Sequence, residues 1–231
     1  MNRLSRSTRL AAAAVAVALA LSACSGSTAT RAANVGARLI IGAEDASQFA
    51  AVFGDDAVRD ADELVAAAQA LAKGERGGLT IVRPGTGTAA ESALDALTSS
   101  KAAVATVIGH NEEGVLRFPD GSGLIIANLP VDGPKIAVIS CSSQKYVNGN
   151  AVGLTMDLNY SIALRTEQLF TERVAALSVD EAADTAILQR ELDAAFDAAA
   201  AEHPNDLAIS IAITGSAAVV GVAILAIDLS E

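Results

Sequence analysis

The stretch AVATVIGHNEEGVLRFPDGSGLIIANLPVDGPKIAVISCSS, residues 103–143, decides the fold. It holds one of the two histidines of the chain, His110, and one of its two cysteines, Cys141. Each follows a run of small and β-branched apolar residues, AVATVI before Gly109-His110 and KIAVIS before Cys141. Continuous apolar runs of five or six residues read as strands buried on both faces, the kind found in parallel sheets. Between them, GVLRF at 114–118 and GLIIA at 123–127 flank Asp120-Gly121, a pair that marks a tight turn, so a small hairpin is expected after the third strand.

Upstream, the chain alternates strands with helices. RLIIG at 38–42 reads as a short buried strand closed by glycine. Residues 60–73 have helical apolar spacing at Leu64, Val65, Ala68 and Leu71, with Gly74 as a stop signal. LTIV at 79–82 reads as a second strand ended by Pro84-Gly85, and 88–97 as a helix opened by a Thr88/Glu91 capping box. Strand–helix alternation implies a parallel sheet with helices on both faces. Beyond Cys141, residues 154–177 and 179–202 are expected to be mostly helical, the second with a charged face at Glu181, Asp184, Arg190 and Glu191.

The N-terminus reads as a targeting segment. Arg3, Arg6 and Arg9 precede the uninterrupted apolar run 10–21, too short for an ordinary spanning helix and the right length for a secretory signal. It ends in Leu21-Ser22-Ala23-Cys24, which resembles a bacterial lipobox. That resemblance implies cleavage before Cys24, lipidation of its thiol and a place on the extracytoplasmic face of the cell membrane. The expected organisation is a signal peptide at 1–23, a small polar tether at 24–35 and one α/β domain at 36–231. Loss of three arginines would make the formal net charge of −11 more negative still. A chain this acidic is a poor partner for nucleic acid. With Cys24 lipidated, Cys141 would be the single remaining thiol, either buried and inert or kept for reactivity.

In an open parallel sheet, ligands bind at the carboxyl ends of the strands. His110 and Cys141 both follow such ends. A free thiol is only a few per cent ionised near neutrality, so a nucleophilic cysteine needs a neighbouring imidazole. Position alone also admits a buried small hydrophobe and an ordinary surface histidine.

The residues around them carry a resemblance. VIGHNEEGVL at 107–116, the Asp120-Gly121 turn and PKIAVISC at 134–141 resemble the caspase-like (clan CD) peptidases, which include caspases, metacaspases and CHAT domains. In that family an apolar strand ends in His-Gly, a hairpin follows, and the next core strand ends in the nucleophilic cysteine. RLIIG at 38–42, DADEL at 60–64 and GTAAESALDAL at 87–97 fall in the order of its first two β-α units. The resemblance covers roughly residues 38–143. It implies a caspase-like parallel-sheet sandwich, a cysteine endopeptidase acting on a peptide or protein, and no cofactor. Cys141 would be nucleophile, His110 general acid/base, and the N–H groups of Asn111 and Cys141 the oxyanion donors. The departures are Asn111 where the family has glycine, Ile139-Ser140 before the cysteine, Ser142-Ser143 after it, and a short histidine-to-cysteine interval. An inactive binding lipoprotein on the same scaffold is the alternative these departures keep open.

Residues 207–227 are uncharged. They read either as a pair of core strands around Gly215-Ser216 or as a transmembrane helix, the latter making the protein an envelope structural element held at both ends. The Ile and Val content and the absence of positive charge in the final residues favour strands. His203 sits in a turn and takes no role, Glu112 and Glu113 read as a solvated pair, and two distant histidines make a metal site improbable.

Overall fold

A computed structural model describes residues 31–53, 61–73, 78–83 and 86–203. The signal segment with Cys24, most of the tether, Gly74, Pro84-Gly85 and residues 207–227 lie outside the described residues. The chain divides at Arg31, and the larger unit begins at Ala32. Ala33 is buried and donates its N–H to the Leu177 carbonyl. The folded unit therefore starts inside the stretch read as tether.

Five strands form one parallel sheet in the order β2-β1-β3-β7-β8. They are β1 (Val35–Ile40), β2 (Thr80–Ile81), β3 (Val104–Ile108), β7 (Lys135–Ile139) and β8 (Ala151–Gly153). The helices that link and cover them are α1 (Ala46–Phe53), α2 (Ala61–Ala72), α3 (Ala89–Ser99), α4 (Tyr160–Ala175), α5 (Val179–Ala182) and α6 (Thr185–Glu202). β4 (Asn111–Glu112), β5 (Val115–Arg117) and β6 (Gly123–Ile125) make a separate antiparallel sheet.

The apolar runs behave as two-sided strands. Ile40, Val104, Ile108, Ala137 and Ile139 pack on one face, with Phe49 of α1, Phe170 of α4 and Leu188 and Leu192 of α6. Leu39, Ala105, Val107, Ile136 and Val138 pack on the other, with Ala93 and Leu97 of α3 and Leu116 and Phe118 of the small sheet. Period-two alternation thus feeds two cores, and burying either set contributes on the order of 25 cal/mol per Å² of apolar surface.

One polar cluster interrupts the first core. Glu167 of α4 is fully buried against Arg38 of β1 and Thr106 of β3. Its carboxylate accepts two hydrogen bonds from the Arg38 guanidinium, at 2.7 and 2.6 Å, and one from each of Thr106 and Thr171, both 3.0 Å. A buried charge is tolerable when paired and saturated in this way.

The small sheet is fixed to α3 by capping. Thr88 and Glu91 form the expected capping box. The next amides are satisfied from the hairpin: Asp120 Oδ2 accepts from Ala89 N–H at 2.8 Å and Ser122 Oγ from Ala90 N–H at 3.1 Å. The Asp120-Gly121 turn therefore does more than reverse the chain, since it closes the helix N-terminus.

Four features differ from the sequence reading. Helix α1, capped by Asp45 Oδ1 accepting from the Ser47 and Gln48 N–H groups, was not expected. Strand β8 was not expected either. The helix expected from 154 begins only at Tyr160, where Asn159 Oδ1 caps the Ile162 N–H. The helical segment expected at 179–202 is two helices, because Asp184, exposed as expected, is the N-cap of the second. Among the described residues no helix is long and apolar enough to cross a membrane.

Candidate functional site

The register of β3 on β7 pairs Ile108 with Ile139, one residue short of Gly109 and Ser140. His110 and Cys141 each lie two residues beyond that pair. Ile108 and Ile139 face the same core, and beyond them both chains leave the sheet, His110 coming under the charges of Glu112 and Arg117. Cys141 packs partly against this core. The topology brings the two residues to adjacent strand ends.

Asn111 ties those ends together. Its Nδ2 donates to the Cys141 carbonyl at 2.8 Å, and its Oδ1 accepts from the Gly114 N–H at 2.8 Å. β4 and β5 then pair Asn111 with Leu116 and Glu112 with Val115. The two residues left between, Glu113 (φ 50°) and Gly114 (φ 88°), form the kind of hairpin turn that needs positive φ at both positions. A Cβ at Gly114 would lie 2.8 Å from the Tyr146 ring, so close packing also selects glycine here. Glu112 is exposed and paired with Arg117 at 2.6 Å.

No family model matches this chain, and comparison with curated proteins and with solved structures found no match. The chemistry of the site therefore rests on its own geometry.

Both titratable groups are held neutral. Burial lowers the His110 pKa; the charge of Glu112 opposes this and that of Arg117 reinforces it. Burial raises the Cys141 pKa, the hydrogen bond to the Leu158 backbone opposes it, and the nearby charge of Asp157 raises it further. A thiol partly ionised near neutrality, the expectation for a cysteine beside an imidazolium, is not what this environment produces. Desolvation disfavours charge on both partners. A neutral imidazole can still act as a base, and a neutral thiol can still be a nucleophile if the proton leaves as the sulfur attacks.

The sulfur also meets backbone that the sequence reading did not place beside it. Cys141 Sγ donates to the Leu158 carbonyl at 3.3 Å and accepts from the Leu158 N–H at 3.5 Å. Ser142, in the left-handed region at φ 48°, donates its N–H to the Met156 carbonyl and its Oγ to Asp157 Oδ1 at 2.9 Å. A non-glycine residue in this region stores about 1–2 kcal/mol of strain. Asp157 and Leu158 escaped the sequence reading because 154–158 was assigned to a helix. The alternation of Leu154, Met156 and Leu158 with Thr155 and Asp157 was the available sign of extended chain.

His203 caps the end of α6 and lines a separate cleft of about 630 Å³ with Leu64, Leu71, Arg165 and Gln168. That cleft contains no cysteine. Among the described residues no group of three His, Cys, Asp or Glu side chains is placed to hold a metal ion.

Proposed function

We propose that this chain is an exported, lipid-anchored domain of caspase-like architecture whose strand-end crevice is a cysteine endopeptidase centre. The observation that carries the reading is the Ile108–Ile139 register, which leaves His110 and Cys141 at equivalent positions beyond adjacent parallel strands. The strand order, the hairpin after β3 and the Asn111 tie are consistent with it.

The neutral pair fits a general-base step. His110 takes the thiol proton as Sγ attacks the scissile carbonyl, and the oxyanion is received by the N–H groups of Asn111 and Cys141. The imidazolium returns the proton to the leaving amine, which departs and leaves a thioester on Cys141. Water, deprotonated by His110, releases the acid and regenerates the thiol. The lipid on Cys24 holds this centre at the extracytoplasmic face of the membrane, where its substrates are peptides or proteins.

A second reading has its own support. The sulfur donates to and accepts from the Leu158 backbone, and its pKa is raised. These favour an inert thiol and a binding lipoprotein on the same scaffold. A peptide library incubated with the protein, with Cys141→Ala and with His110→Ala separates the two. Cleavage by the parent, lost in both variants while the fold is retained, supports the peptidase. Equal absence of cleavage in all three supports the binding protein.

A further inference from the structure

The connection from β8 to α4 runs antiparallel to the residues that follow Cys141. Leu154 donates its N–H to Ser143 Oγ at 3.0 Å, and its carbonyl accepts from Gln144 N–H at 3.0 Å. Two residues on, the Met156 carbonyl accepts from Ser142 N–H at 3.0 Å. Asp157 Oδ1 accepts from Ser142 Oγ at 2.9 Å, and Leu158 makes both hydrogen bonds to the Cys141 sulfur.

We propose that residues 154–159 are a strap that closes the candidate centre, and that Cys141 becomes reactive only when the Met156–Leu158 end of the strap lifts. This rests on the peptidase reading for its purpose but not for its test. An attacking thiol needs its proton directed at a base and a lone pair directed at a carbonyl. In the closed form the proton points to the Leu158 carbonyl and a lone pair receives the Leu158 N–H. Transfer of the proton to a base and attack on a carbonyl both compete with Leu158 while it stays in place.

The two ends of the strap are held differently. Leu154 is buried and bonded to Ser143, whose Oγ is itself buried and donates to the Val138 carbonyl at 2.8 Å. Thr155 and Met156 are exposed and Asp157 is half-buried, while Leu158 packs into the core, so lifting this end uncovers one apolar side chain. Lifting the distal end breaks the contacts to Ser142 and Cys141 and leaves the anchor in place. It also frees the Ser142 hydroxyl from Asp157 and lets its left-handed backbone relax. An opening that uncovers one apolar side chain and a few hydrogen bonds lies well below the free energy of global unfolding.

The test is the alkylation rate of Cys141 by iodoacetamide in the full-length protein, read by mass spectrometry on the peptide that contains it, from pH 6 to 10. The parent should react at least tenfold more slowly than a free cysteine peptide, even at the high-pH plateau. Ser142→Ala changes no charge and removes one strap contact, so its rate should rise about fivefold at every pH. Asp157→Asn is the second variant, and should raise the plateau as well as move the midpoint. Amide exchange at Leu158 should quicken in both. Low concentrations of urea should leave the rate nearly flat, the sign of local opening. Free-thiol reactivity in the parent would overturn the strap. So would unchanged plateaus in both folded variants, or a steep urea dependence showing that the thiol is reached only by global unfolding. Alkylation needs no catalysis. A strap that opens as expected in a protein that cleaves nothing sinks the peptidase reading alone, and cleavage by a parent with a free-thiol alkylation rate sinks the strap alone.

Discussion

Asn111 bridges the histidine loop to the cysteine strand, with Nδ2 on the Cys141 carbonyl and Oδ1 on the Gly114 N–H, both at 2.8 Å. The family resemblance alone argues for glycine at this position and makes Asn111→Gly a restoration. The bridge reverses that expectation. Glycine would remove both hydrogen bonds and leave the Gly114 N–H to find another partner. Asn111→Gly should destabilise the fold by about 1–3 kcal/mol, read from urea unfolding, and any peptidase activity should fall with it. A variant as stable and as active as the parent would show that the bridge holds nothing in register.

The titration of the same site sets a pH signature. The His110 pKa is lowered in the fold, chiefly by burial, so between its unfolded value near 6.5 and its folded value the unfolded chain binds more protons. Stability from this group is present above about pH 6.5 and is lost as pH falls through the folded pKa. The Cys141 pKa is raised, also by burial first. Its contribution is present below the unfolded thiol value and is lost as pH rises towards the folded one. The stability curve should slope downward on both sides of neutrality. His110→Gln should flatten the acid limb and Cys141→Ser the alkaline limb, each leaving the other unchanged.

Much of the sheet was legible because buried parallel strands announce themselves. RLIIG, AVATVI and KIAVIS each became a central strand, and the Thr88/Glu91 box opened α3 as its spacing required. Strand β8 was not legible, since Ala151–Gly153 is three residues beside Gly149 and Asn150, too short for any period to show. The strap was misread for a related reason. Its apolar residues suit a helix or an extended chain until Asn159 is recognised as the cap of α4. His110 and Cys141 were placed from strand ends alone, but the neutral state of both follows from burial, which no spacing reveals.

Glu167 was invisible for a different reason: a glutamate on an amphipathic helix reads as solvated, and its partner Arg38 is 129 residues away. Only Thr106 and Arg38 inside otherwise apolar strands hinted at a buried charge. Glu167→Ala strands the Arg38 guanidinium and should cost about 3–5 kcal/mol. The pair Arg38→Met with Glu167→Leu should recover most of that loss, because an apolar replacement leaves no unpaired charge. Chemical denaturation of the single and double variants measures both, and additive losses would show that the two side chains are not coupled.

The anchor makes a prediction independent of the fold. If 21–24 is a lipobox, Cys24→Ala should abolish lipidation and leave the signal uncut. A Cys24→Ala protein that is still processed and partitions with membranes like the parent would remove the lipid anchor from the reading.

One side chain of α6 meets the backbone at the β8 edge of the sheet. Among the described residues β8 is the last strand on its side, and its buried Gly153 turns its N–H and C=O away from β7. Gln189 of α6 meets both. Its Oε1 accepts from the Gly153 N–H at 3.2 Å and its Nε2 donates to the Gly153 carbonyl at 2.7 Å, the pattern a sixth strand would make. The Ala151 N–H on the same edge goes to the Asn148 carbonyl. Gln189→Ala should therefore cost about 1–2 kcal/mol and open the edge to pairing with a second chain. Gln189→Glu keeps the acceptor but loses the donor, so it should leave the Gly153 carbonyl unmet and repel a copy of itself. Sedimentation velocity on the two variants should show concentration-dependent association for alanine and a monomer for glutamate. Monomeric behaviour in both, with unfolding midpoints equal to the parent's, would mean that packing by α6 protects the edge without help from Gln189.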